Sequence, residues 1–167
     1  MQFSVGDLVV HPDYGAGEIV GSERQGTLDE FENSYVIHIA QQGLTLYVPR
    51  HRMDELGVRP VMSQTKFLRV VETLRAEPRR LPDDYKERQK QIEEQLKTGR
   101  TLPIAQAVRD LTWHEQRAHL TKRDTDLLQR GREFLTNEMA LATAQDIAAV
   151  EETLDVALAV ALRRAAN

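Results

Sequence analysis

The chain of 167 residues contains no cysteine. That absence excludes disulfides, iron–sulfur clusters, thiolate zinc sites and a thiol nucleophile. Aromatic residues make up 5%, with a single Trp, so neither a large aromatic core nor a base-stacking platform can be assembled. No apolar run approaches the roughly 18 residues that a membrane span needs. The opening, Met1-Gln2-Phe3-Ser4-Val5-Gly6-Asp7, lacks the basic and apolar blocks of a signal peptide, so the expectation is a soluble cytoplasmic protein. Positive charge is also scarce: the net charge is −4, which argues against an indiscriminate nucleic-acid coat.

Catalytic signatures are missing too. The five histidines are His11, His38, His51, His114 and His119. His114 and His119 do not have the i, i+4 spacing of a helical metal pair, and His114-Glu115 continues as Gln116-Arg117 instead of reaching a second histidine in zincin order. Gly15-Ala16-Gly17 lacks the lysine and following helix of a phosphate loop and reads as a tight turn. No Gly-x-Ser-x-Gly occurs. The acidic pairs Asp83-Asp84 and Glu93-Glu94 lie in charged helical segments, where carboxylates usually face solvent or a helix dipole. The expectation is a non-enzymatic protein with no cofactor and no metal.

What is present divides by periodicity. Leu8-Val9-Val10 and Glu18-Ile19-Val20-Gly21 are short strand-like runs on either side of a turn cluster from His11 to Gly17. Residues 21–33 are polar and read as a hairpin loop. Tyr35, Ile37 and Ile39 alternate with their neighbours, as do Leu44, Leu46 and Val48, and Pro49 stops the last run. Four or five short strands linked by tight turns close most economically into a small barrel. From about residue 62 the period lengthens. Phe67, Val70, Val71 and Leu74 follow helical spacing, and Glu77 to Pro82 breaks it as a linker. Pro82 suits the first turn of a second helix carrying Tyr85, Gln89, Ile92 and Leu96 on one stripe and ending at Gly99. A third helix starts near Pro103 and shows Ile104, Val108 and Leu111. Thr121-Lys122-Arg123-Asp124 is a cap-like start for a fourth, with Leu127, Leu128, Phe134, Leu135 and Met139. Thr143-Ala144-Gln145-Asp146 repeats that pattern before Ile147, Val150, Leu154, Leu158 and Leu162. The fold class is therefore α+β: a small β-barrel over residues 1–60, then an all-α helical bundle over 61–167.

Charge follows this division. Residues 79–132 hold 13 Lys+Arg against 9 Asp+Glu, a balance of +4, whereas residues 1–76 balance at −3 and residues 133–167 at −4. Only the middle segment can face phosphate, and its modest excess predicts local contact that is weak alone.

The run Phe3-Ser4-Val5-Gly6-Asp7-Leu8-Val9-Val10-His11-Pro12 with Tyr14-Gly15-Ala16-Gly17 resembles the opening of the CarD family of bacterial transcription regulators, and also that of the polymerase-binding module of transcription-repair coupling factors. Leu44-Thr45-Leu46-Tyr47-Val48-Pro49 is similar to the family's last barrel strand. Further resemblance lies in Leu74-Arg75-Ala76, in Val108-Arg109-Asp110-Leu111 and in Glu138-Met139-Ala140-Leu141-Ala142, which match helical segments of CarD proteins that the coupling factors lack. The similarity is collinear over nearly the whole chain.

The resemblance implies a Tudor-like (SH3-like) barrel that binds the β subunit of bacterial RNA polymerase by strand-edge pairing. It implies a helical domain lying on promoter DNA at the upstream edge of the melted bubble, near the −10 element, without strong sequence specificity. There an aromatic wedge in the minor groove hinders bubble collapse and stabilises the open complex. The protein would act as a cytoplasmic monomer, brought to the nucleoid by polymerase. In most relatives the wedge is Trp. The matching position here is Tyr85, and the sole Trp, Trp113, lies in a later helix, where packing is its expected role. Tyr85 also begins the stripe toward Ile92 and Leu96, so a core position is the alternative. Lys86, Arg88 and Lys90 follow the wedge and are the expected phosphate contacts. Lys122 and Arg123 are added because cations opening a helix oppose its dipole unless phosphate is near. On the barrel, Arg24, Thr45 and Tyr47 are the expected polymerase contacts. Two basic residues of some relatives correspond to Gln25 and Tyr47, with Arg24 adjacent to the first. The alternative function is a polymerase-binding protein–protein adapter with no direct role on DNA.

Overall fold

Alternating apolar residues and tight turns build the N-terminal part. In the computed structural model, which describes residues 1–24 and 32–167, β1 (Leu8–His11), β2 (Gly15–Arg24), β3 (Glu32–Ile39), β4 (Leu44–Pro49) and β5 (Arg59–Pro60) form one antiparallel sheet in the order β4-β3-β2-β1-β5. Among the described residues β4 and β5 do not pair, so the ladder has two open edges instead of the closed ring of a barrel. The period-two reading of Tyr35, Ile37 and Ile39 is met: all three are buried, together with Phe3, Val9, Ile19, Val48, Met53 and Val58. The Tyr35 hydroxyl accepts from the Phe3 amide at 3.0 Å and donates to the Phe3 carbonyl at 2.9 Å. A buried phenol thus satisfies itself by pinning the N-terminal segment to the sheet.

The polar stretch 21–33 reads as a loop by composition, yet β2 runs to Arg24 and β3 begins at Glu32. Ser22 faces Tyr35 and Glu23 faces Ser34 across the ladder. Backbone groups make those bonds, so a run of polar residues does not by itself end the pairing. A register shift between Ile19 and Gly21 turns Val20 outward, 47% exposed, while Ile19 stays buried. Gly17 sits where β2 runs close to the end of β3. A Cβ built there lies 2.6 Å from the His38 carbonyl oxygen.

Helical spacing and side-chain caps build the remainder. Two compact units, Met1–Val61 and Met62–Asn167, divide the chain. The second contains α1 (Gln64–Arg75), α2 (Tyr85–Lys97), α3 (Thr101–Arg117), α4 (Lys122–Thr143) and α5 (Ile147–Ala166). Their shared core is Val70, Leu74, Ile92, Leu96, Ile104, Val108, Leu111, Leu127, Leu135, Met139, Val150, Leu154 and Leu158. Two expected boundaries move. Pro82 precedes α2 instead of lying in its first turn, because Asp84 is the cap and accepts from the Glu87 amide at 2.9 Å. Thr143 does not cap α5. Its hydroxyl donates back to Met139 O within α4, and Asp146 caps α5 by accepting from the Ala149 amide. α3 starts at Thr101, which puts Pro103 inside its first turn.

Residues 77–82, expected as a linker, belong to the helical unit. Pro78 and Leu81 are buried, and the Arg79 amide donates to Asp110 Oδ1 at 2.9 Å. Among the described residues no helix is long and apolar enough to cross a membrane.

Gly17→Ala forces a carbon against backbone and should lower stability by about 1–3 kcal/mol. Gly21→Ala meets nothing nearer than 3.5 Å and should leave stability nearly unchanged. Urea denaturation of the full chain separates the two variants by their midpoints.

Candidate nucleic-acid and polymerase interface

The start of α2 places an aromatic ring on the surface. Asp84 fixes the helix entry, and Tyr85 follows as its first residue, 51% exposed. The buried stripe of α2 is Arg88, Ile92 and Leu96; Tyr85 is in line with it but sits at its N-terminal end, as the first residue of the helix. At 51% exposed, Tyr85 is not a core residue, although it begins the stripe toward Ile92 and Leu96 as expected. Lys86 is exposed, with its ammonium 5.9 Å from the centre of the Tyr85 ring, and Lys90 is exposed one turn further along the same side. Neither lysine has a carboxylate partner among the described residues.

Arg88 departs from expectation. It is 3% exposed, so it is not a phosphate contact. Its guanidinium meets the fully buried Asp124 in a two-pronged pair, Nε to Oδ1 at 3.1 Å and Nη2 to Oδ2 at 2.8 Å. Nη1 donates to the carbonyls of Pro82 and Asp83 at 3.1 and 3.0 Å. Asp124 also completes the capping box of α4, accepting from the Thr121 amide and hydroxyl at 3.0 and 2.9 Å. Gln89 donates to the same Thr121 hydroxyl at 3.0 Å. One cluster of bonds therefore ties the segment before α2, the first turn of α2 and the first turn of α4. Burial alone would raise the Asp124 pKa. The Arg88 bonds and the Thr121 donors outweigh it and hold the carboxyl below its ordinary range. His114 on α3 is buried at the same joint. Its pKa is lowered first by that burial and then by the Arg88 charge, which Asp124 and Asp83 offset in part.

Lys122 and Arg123 occupy the exposed first turn of α4. Arg123 donates through Nε to Glu93 Oε1 on α2 at 3.1 Å, and this bond holds the Glu93 carboxyl below its ordinary pKa. The dipole conflict at Arg123 is thus answered by a carboxylate across the helix pair. Lys122 has no such partner among the described residues. The last turn of α3 adds a group that composition did not flag. Trp113 is half-buried, and the Arg117 guanidinium lies over its ring, 4.7 Å from the centre. The residue pair Trp113 and Arg117 at i, i+4 was the only available signal. Among the described residues no group of three or more His, Asp or Glu is placed to hold a metal ion.

In the N-terminal unit, β4 is an edge strand, and Thr45 and Tyr47 on it are exposed, opposite His38 and Val36 of β3. Arg24 is not beside them. It ends β2, two strands in from β4, paired with Glu32 beyond the level at which β4 ends. Gln25 lies outside the described residues.

Two family profiles match the chain in tandem. Residues 3–62 match the CarD-like/TRCF RID domain, and residues 69–155 match the CarD C-terminal domain. The chain is also 29% identical over 139 residues, spanning 82% of it and 90% of its counterpart, to YdeB of Bacillus subtilis (strain 168), a protein provisionally named a transcription factor.

Asp124→Ala strands a buried guanidinium and should cost about 3–5 kcal/mol. The double variant Arg88→Met, Asp124→Leu should recover most of that loss in thermal or urea unfolding. Because the folded-state pKa of Asp124 is depressed, its contribution is fully present well above the ordinary value of 3.8 and is lost as pH falls through the lowered folded value. Acid titration of the stability of wild type against the double variant reads this directly.

Proposed function

Because this chain belongs to the CarD family, we propose that it is a transcription regulator that grips RNA polymerase by an edge of its N-terminal sheet and stabilises melted promoter DNA with the Tyr85 end of its helical unit. CarD-family transcription factors are non-enzymatic, and the RID class of the N-terminal unit implies an interaction with RNA polymerase. The polymerase partner is the β subunit, and β4 is the strand that pairs with it. An edge strand presents a row of free backbone donors and acceptors, so recognition depends little on side-chain identity. That accounts for Gln25 and Tyr47 at positions where some relatives carry basic residues. Tyr47 supplies apolar contact beside the paired edge.

The observation that carries the DNA reading is the exposed Tyr85 ring at a capped helix start, with Lys86, Lys90 and Lys122 near it and without carboxylate partners among the described residues. A phenol ring in the minor groove packs against a distorted base step that closed duplex does not offer, so it favours the open state. The lysines hold phosphates and carry no sequence information. A net charge of −4 permits this because polymerase supplies the effective concentration.

Tyr85→Ala should bind polymerase normally and lose most of the wild-type lengthening of open-complex lifetime, measured by competitor challenge. A wild-type protein that binds polymerase and leaves the lifetime unchanged would select the adapter role. On the other unit, Tyr47→Ala should weaken binding to the isolated β subunit by roughly tenfold and leave the fold intact.

A further inference from the structure

The helical unit carries an arginine, Arg117, that is held by an aromatic ring and by no ion pair among the described residues. Three guanidiniums near the α2–α4 joint are paired: Arg88 with Asp124, Arg123 with Glu93 and Arg80 with Asp83. Arg117 has no carboxylate partner among the described residues. It is exposed and lies over the ring of the half-buried Trp113, the only Trp in the chain, 4.7 Å from the ring centre. Stacking on an indole orients a guanidinium and removes part of its rotamer freedom while leaving its N–H groups free to donate outward. A cation held this way is prepared for a planar or tetrahedral oxyanion.

Its position is fixed by short-range constraints. Only residues 118–121 separate Arg117 from the first turn of α4, and α3 closes with the Ala118 amide on His114 O at 2.9 Å. That first turn is bonded to α2 through Arg88–Asp124 and Gln89–Thr121. The end of α3 and the starts of α2 and α4 therefore converge at one end of the unit. Arg117 and Trp113 join Tyr85, Lys86 and Lys122 there. Two cation-over-ring pairs, Lys86 on Tyr85 and Arg117 on Trp113, occupy the same end.

We propose that Arg117, oriented by Trp113, is a second anchor on promoter DNA, donating to a backbone phosphate beside the groove that Tyr85 enters. The inference rests on the DNA reading above. It also assigns the lone Trp a role other than wedge or core filler: it is a positioning residue for a phosphate contact.

The test is binding of the full chain to a preformed polymerase–promoter open complex and to polymerase without DNA, each titrated across salt. One lost phosphate contact should lower the slope of log K against log salt by about one. Arg117→Gln is expected to show that loss with DNA present and no change with polymerase alone. Arg117→Lys keeps the charge and should restore the slope, and Trp113→Leu should weaken binding with the slope kept. An Arg117→Gln slope equal to wild type overturns the proposal. Tyr85→Ala, run in parallel for open-complex lifetime, separates the two failures. If Tyr85→Ala shortens the lifetime and Arg117→Gln keeps the slope, the second anchor alone is wrong. If Tyr85→Ala has no effect and Arg117→Gln keeps the slope, the DNA reading on which the anchor rests falls with it.

Discussion

One buried ion pair, Arg88 with Asp124, organises the helical unit's functional end. Taking two charges out of water is costly, and the pair is tolerated because every remaining donor and acceptor is used: two carbonyls before α2, the Thr121 amide and the Thr121 hydroxyl. The return is positional. The pair fixes where α2 begins and where α4 begins, and those two starts carry Tyr85, Lys86 and Lys122. An apolar contact at the same place would allow sliding. A bidentate pair joined to a capping box allows much less, which is what holding a ring at one base step requires.

The same joint explains why exposed groups there are distributed as they are. Tyr85 is exposed because it is the first residue of α2, beyond the end of the buried run Arg88, Ile92 and Leu96. Arg123 is neutralised by Glu93, whereas Lys86 and Lys90 on α2 and Lys122 on α4 have no ion-pair partner among the described residues. Three unpaired lysines thus lie near the starts of α2 and α4, the placement that the proposed DNA contact needs.

Much of the fold was legible in the sequence because period-two and helical spacing report burial directly, as at Tyr35, Ile37 and Ile39 or at Val70 and Leu74. The polar ends of β2 and β3 were not legible, since strand pairing there depends on backbone bonds that leave no side-chain pattern. Nor was the cap of α5. Thr143 and Asp146 are both good caps by type, and only the αL turn at Ala144 decides between them. The surface position of Tyr85 was open between wedge and core. Arg88 read as a phosphate contact because a charged residue usually lies outside, and its partner Asp124 is 36 residues away. A long-range pair of opposite charges gives no local signal. Trp113 with Arg117 was overlooked for a related reason: a ring and a cation one turn apart are common, and only geometry shows that the cation is otherwise unpaired.

The central claim is that the start of α2 touches promoter DNA. The most direct measurement places a photo-crosslinking amino acid at position 85 and irradiates the open complex formed with RNA polymerase, with the same probe at exposed Leu68 on α1 as the control. The account predicts crosslinks from position 85 to promoter DNA at the upstream edge of the bubble and none from position 68. Crosslinks from position 85 to polymerase protein alone would contradict it.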